Sequence, residues 1–169
     1  MTSLSPSIAR RCHIVAALAA VVLIVIALYF QYVMKLEPCP LCIFQRVAVM
    51  ALGIWAGLAA VINPIGWGRR VVGAVTALLA LAGGMVAGRQ VWLQRLPEDQ
   101  VPACGPGLDY MLDMFPMRKV FDLVFRGSGE CAEVHWTFLS MSIAEWMLVV
   151  FAGFIAFGIF IAVARSRAS

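Results

Sequence analysis

The sequence predicts an all-α membrane protein: a four-transmembrane-helix bundle with an extracytoplasmic loop that carries short amphipathic helices. Three observations lead there. Of 169 residues, 63% are hydrophobic and 13% charged, against roughly 45–50% and about 25% in soluble domains. A surface this apolar could not stay wet, so the bilayer must be the solvent. Four segments reach the roughly 20 apolar residues that a helix needs to cross a membrane. The charges, finally, segregate between the connections. The length suits one integral membrane domain, 1–169. The net charge of +4 is scattered in ones and twos; it reads as a topology signal, with no nucleic acid implied.

The first span covers 14–33 and follows Arg10 and Arg11. Its apolar run exceeds the roughly 7–15 residues of a signal peptide. Tyr29, Phe30, Gln31 and Tyr32 at its end are too bulky for a cleavage site, so the span is expected to be retained. A short loop, 34–42, leads into the second span, 43–62. Arg69 and Arg70 precede the third span, 71–88. Gly and Ala recur through both spans, which suits close helix approach in lipid, and Gly83-Gly84 marks a kink or a tight crossing. The long loop, 89–142, contains the stretch 108–125, where apolar residues alternate with charges around Pro116. That pattern fits amphipathic surface helices or an ordinary packed lid. The fourth span, 143–164, is followed by Arg165 and Arg167.

Orientation follows from basic residues in short connections. Arg10, Arg11, Arg69, Arg70, Arg165 and Arg167 fall on one side if the spans alternate, and every Asp and Glu lies elsewhere. Both termini are therefore expected in the cytoplasm. Cys39, Cys42, Cys104 and Cys131 face out, and Cys12 alone faces in. No acid lies inside a span away from its ends, which argues against a transporter.

Cys39-Pro40-Leu41-Cys42 forms a C-x-x-C where the chain meets the second span. Exposed or strained disulfides of this kind are the oxidising, catalytic ones. Cys42 is expected in the first turn of a helix, where the positive dipole end favours a thiolate. Arg46 lies four residues on, on the same face. A cation at membrane depth costs roughly 2.5–3.5 kcal/mol on insertion scales. It is expected either to stabilise anionic Cys42 or to polarise a quinone carbonyl, although a snorkelling interfacial arginine has the same spacing. Arg89 is a weaker candidate for the same site.

Cys104 and Cys131 form a second pair, which taken alone would be a structural staple of the long loop. Two outward pairs beside a membrane cation instead suggest an electron relay by thiol–disulfide exchange, with no metal. The spacing lacks the paired pattern of a zinc ribbon. Ile43 rather than His follows Cys42, which excludes C-x-x-C-H haem attachment. His13 and His135 are expected at the surface or the interface.

The run Glu37-Pro-Cys39-Pro-Leu-Cys42-Ile-Phe-Gln-Arg46 resembles the P-C-x-L-C-x-x-x-R signature of the DsbB family of Gram-negative disulfide bond formation proteins. The stretch Ser128-Gly-Glu-Cys131-Ala-Glu-Val-His-Trp136 resembles that family's second-loop signature, and the four-span plan is similar too. The resemblance implies a quinone-dependent protein-dithiol oxidoreductase of the bacterial inner membrane. It would reoxidise the periplasmic thioredoxin-fold oxidase DsbA and pass the electrons to the membrane quinone pool, ubiquinone or menaquinone. It further implies that Cys104 forms the mixed disulfide with DsbA and Cys131 is its disulfide partner. Cys39 would exchange with that pair, and Cys42 would face the quinone as a charge-transfer thiolate beside Arg46. No histidine lies near the end of the third span, so a quinone contact there would use Arg89, Gln90 or backbone groups. Two alternatives stay open: a membrane scaffold or metal-handling protein with structural cysteines, and a paralogous oxidase with a dedicated partner.

Overall fold

Four long helices carry the chain in the computed structural model, which describes residues 3–101, 113, 114, 116, 118, 129–134 and 136–166. Cys104, His135 and most of the amphipathic stretch 108–125 lie outside the described residues. Helix α1 spans Pro6–Tyr32, α2 Pro40–Ile62, α3 Trp67–Gln94 and α5 Ile143–Val163, with the single turn α4 at Gly129–Ala132. Each of the four long helices is apolar and long enough to cross a membrane. The protein is a multi-pass four-helix bundle.

Local sequence sets the ends. Ser5 caps α1 by accepting from the Ile8 N–H, and Pro6 follows at the first helical position, where its missing N–H costs nothing. Asn63 ends α2 in the left-handed region (φ 46°). A capping box opens α5: the Glu145 N–H donates to Ser142 Oγ at 3.3 Å, and the Ser142 N–H donates to Glu145 Oε2 at 2.8 Å. Small β pairs close the ends. Ser3–Leu4 (β1) runs parallel to Arg165–Ser166 (β4), and Thr137–Phe138 (β2) forms a hairpin with Met141–Ser142 (β3).

Two helix ends differ from the spans read in the sequence, and both differences shape the site. The expected long loop begins at 89, but 89–94 contains neither Gly nor Pro and continues the helical ladder to Gln94. Arg89 and Gln90 are therefore helical. Likewise α2 starts at Pro40, which places Cys42 within its first turn.

Packing inverts the water-soluble pattern. Ala16, Ala20, Ala56, Ala80 and Ala87 lie in the core with Leu52, Phe151 and Phe154, while Leu18, Val22, Val25, Ile54 and Leu78 face outward. Small residues between helices permit close approach where lipid removes any hydrophobic drive. Helix α2 lies between α1 and α3, and α3 makes its most extensive contact with α5. There, a Cβ at Gly73 would lie 2.5 Å from the Gly158 carbonyl oxygen, and one at Gly158 2.7 Å from the Ala77 nitrogen. Gly83 takes the Phe151 ring against its backbone, so this glycine pair makes the expected tight crossing within an unbroken helix.

His13 corrects an expectation. Because α1 extends back to Pro6, His13 sits inside the helix, 2% exposed and edge-on to Phe157 at 5.5 Å between ring centroids.

Candidate active site

The site is built on the turn that starts α2. A residue before proline is pushed to extended backbone, and Cys39 before Pro40 has φ −64°, ψ 162°. That is the conformation of a helix N-cap. Its sulfur takes the place usually held by a Ser or Asp oxygen and accepts the Cys42 N–H at 3.4 Å. The two sulfurs are thereby brought to 3.0 Å, the Cys39 thiol donating to Cys42. Leu41 between them is fully buried and anchors the turn.

Helix α4 supplies a third sulfur. Cys131 is fully buried in a small core with Cys39, Leu41, Val86 and Leu93, separate from the core between the spans. It packs there beside Cys39. That contact first, then the one with Cys42 and burial, pushes the Cys39 thiol far above the ordinary cysteine range. Each of these interactions favours the neutral thiol over its anion.

Two glutamines complete the sulfur environment. Gln90 of α3 extends its Nε2 to Cys42 Sγ at 3.2 Å and to Cys39 Sγ at 3.5 Å. Gln45 of α2 donates to Gln90 Oε1 at 2.6 Å. Arg46 turns away from the sulfurs toward α1, donating to the Gln31 side chain and, at 3.1 Å, to the Ala27 carbonyl. Arg89 lies over the Trp92 ring, 4.2 Å from its centroid.

Between α1, α2, α3 and α5 an open-mouthed cavity reaches both Cys39 and Cys42. Arg46, Gln45 and Gln90 line it, and so do apolar Leu23, Ile24, Val49 and Met147. At its outer end Trp136 packs on Phe30 at 4.9 Å between ring centroids and is stacked with Phe138 at 6.0 Å.

Of the residues expected to act, the structure brings Cys39, Cys42 and Cys131 into one cluster and puts Arg46 on the wall of the adjoining cavity. Cys104 is outside the described residues. Sequence reasoning named Gln90 only as a possible quinone contact and missed Gln45 and Gln31. A signal existed, because an amide inside an apolar span is costly unless hydrogen-bonded, so each of these glutamines needed a partner.

Known proteins resemble this chain over most of its length. The family model described as "Disulfide bond formation protein DsbB" matches residues 9–161. The chain is 56% identical to disulfide bond formation protein B of Nitrosococcus oceani over 129 residues, 76% of each chain. It is 48% identical to that of Hahella chejuensis over 158 residues, covering 94% of this chain and 96% of the relative. It is 43% identical to disulfide bond formation protein B 1 of Pseudomonas aeruginosa over 150 residues, 89% and 92% of the two chains.

Proposed function

The chain belongs to the DsbB family of disulfide bond formation proteins, and from that premise we propose that it is a quinone-linked oxidase of a periplasmic dithiol partner. The partner is the thioredoxin-fold disulfide donor DsbA. The electron sink is ubiquinone or menaquinone of the bacterial inner membrane. The cysteine cluster then faces the periplasm and the termini face the cytoplasm, as the distribution of basic residues supports.

One observation carries this reading: Cys131, from the far end of the long loop, packs in one small buried core with Cys39 of the C-x-x-C. Thiol–disulfide exchange requires a thiolate to reach the sulfur it attacks, and Cys131 and Cys39 share one small buried core. In the first exchange, the two thiols of the partner become its disulfide and a Cys104–Cys131 disulfide becomes two thiols. In the second, that pair reoxidises at the expense of a Cys39–Cys42 disulfide, which becomes the dithiol seen at 3.0 Å. Two electrons and two protons then have to leave Cys39 and Cys42.

A bound quinone supplies the two-electron, two-proton acceptor. The cavity suits such a group, since its walls are mainly apolar and Cys42 and Arg46 both line it. Arg46, held by Gln31 and the Ala27 carbonyl, presents a fixed positive charge to an oxygen that gains negative charge. Cys42 lies on the cavity wall with Gln90 at its sulfur.

The test is turnover of the purified protein in detergent with reduced DsbA and added ubiquinone or menaquinone. One quinol should form per partner disulfide, and Cys42→Ser should abolish quinol formation. Turnover that survives Cys42→Ser overturns the relay.

A further inference from the structure

Gln45 and Gln90 are polar groups at the sulfurs to which the relay assigns no role. Both sit in apolar helices, 4% and 5% exposed, so their amides must be satisfied within the protein. The way they are satisfied fixes an orientation. An amide offers one carbonyl acceptor and one NH2 donor group. Gln45 Nε2 donates to Gln90 Oε1 at 2.6 Å, which engages one of that oxygen's two lone pairs and holds the amide in one orientation. The donor end is thereby left facing the sulfurs, nearer to Cys42 at 3.2 Å than to Cys39 at 3.5 Å.

The orientation matters because thiol and thiolate make opposite demands. A thiol can donate its proton, and the Cys42 S–H has Gln90 Oε1 at 3.6 Å for that purpose. A thiolate can only accept, so it is served by the NH2 group and repelled by the carbonyl. Gln45 therefore biases the pair toward the form of Cys42 that attacks a disulfide or gives up electrons. Arg46, which the sequence spacing put forward for this task, is committed to α1.

We propose that Gln90 is a catalytic residue that donates to the Cys42 sulfur and sustains it as a thiolate nucleophile, and that Gln45 is the positioning residue that keeps the donor end of Gln90 on that sulfur. The proposal rests on the reading of Cys42 as a working thiol. It needs neither the identity of the partner nor that of the electron acceptor.

The experiment follows alkylation of the reduced full-length protein in detergent by iodoacetamide at one alkaline pH. Mass spectrometry of the cysteine peptides gives a separate rate for each cysteine, so Cys12 and Cys131 act as internal references. Gln90→Met, similar in volume but without a donor, should slow Cys42 by about tenfold, the scale of a lost hydrogen bond to a charged group. Gln45→Met tests the orientation by removing the donor to Gln90 Oε1, so the Gln90 amide is free to turn its carbonyl toward the sulfur. Cys42 should then slow severalfold, although Gln90 itself is intact. If either variant fails to fold, the other still decides the matter.

A Cys42 rate within twofold of the parent in either folded variant overturns the proposal. So does a slowing shared equally by Cys12 and Cys131, which would mean loosened packing instead. Because neither DsbA nor quinone is in the assay, its outcome is independent of the relay. A chain that shows the Cys42 effect yet reduces no quinone would sink the proposed function alone.

Discussion

Cys131, fully buried on the four-residue helix α4, packs in one small core with Cys39 at the N-cap of α2. Neither helix alone would hold a sulfur there. Cys39 is fixed by the proline that follows it and by the N–H it caps, Cys131 by a small apolar core made with Leu41, Val86 and Leu93. The two cysteines are thus joined by ordinary packing, outside the core that holds the spans together.

This contact predicts a selective cross-link. In a Cys42→Ser, Cys104→Ser double variant, mild oxidation should join Cys39 to Cys131 within the same chain. Peptide mapping without reduction should recover that disulfide as the main product. A dominant intermolecular product, or Cys39 left unoxidised, would contradict the arrangement. The same geometry sets a rate in the reduced parent: Cys39, whose thiol is held neutral by Cys131, Cys42 and burial, should alkylate more slowly than Cys12 at pH 8. Raising the pH should help it little, because its proton is lost only far above the ordinary thiol range.

Arg46 predicts a split between two kinetic parameters. Its guanidinium lines the cavity but is bonded to α1. Arg46→Ala should therefore raise the apparent Michaelis constant for quinone by about tenfold, consistent with loss of a charge-assisted contact of order 1.5 kcal/mol. The rate of the first exchange with reduced DsbA, read by stopped-flow with no quinone added, should stay within twofold. Gln31→Leu, which frees the guanidinium without deleting it, should produce the same split more weakly. An unchanged Michaelis constant in Arg46→Ala would leave the arginine as an anchor between α1 and α2.

The sequence announced these parts unequally, for physical reasons. Four apolar runs and the segregation of charge fixed the bundle, because a bilayer tolerates few other solutions. The C-x-x-C ahead of an apolar run likewise located Cys42 in a first helical turn. Helix ends were less legible. Apolarity stops where the membrane does, but a helix runs on until a breaker stops it, so the third span was read to end at 88 while α3 continues to Gln94. That continuation is what carries Gln90 to the sulfurs. Pairings such as Gln45 with Gln90, or Cys131 with Cys39, join distant parts of the chain and leave no local periodicity to read. His13 was placed at the surface or the interface because polarity alone says nothing of which neighbour, here Phe157, will cover it.

The α3–α5 crossing predicts opposite signs for the same substitution at two glycines of one helix. Replacing a helical glycine by alanine ordinarily stabilises by roughly 0.5–1 kcal/mol, because alanine loses less backbone entropy. At Gly153 a new Cβ would find nothing within 4 Å, so Gly153→Ala should show that gain. At Gly158 it would lie 2.7 Å from both the Ala77 nitrogen and the Gly73 carbonyl oxygen. Those are backbone atoms of α3, which no rotamer change can move aside, so the helices must separate. Overpacking of this kind costs typically about 1–3 kcal/mol, more than the entropic gain, and Gly158→Ala should be net destabilising. Thermal unfolding of both variants in one detergent checks this. Gly153→Ala should unfold at or above the parent midpoint and Gly158→Ala several degrees below it. Equal midpoints for the two would mean that α3 and α5 do not cross at Gly73 and Gly158.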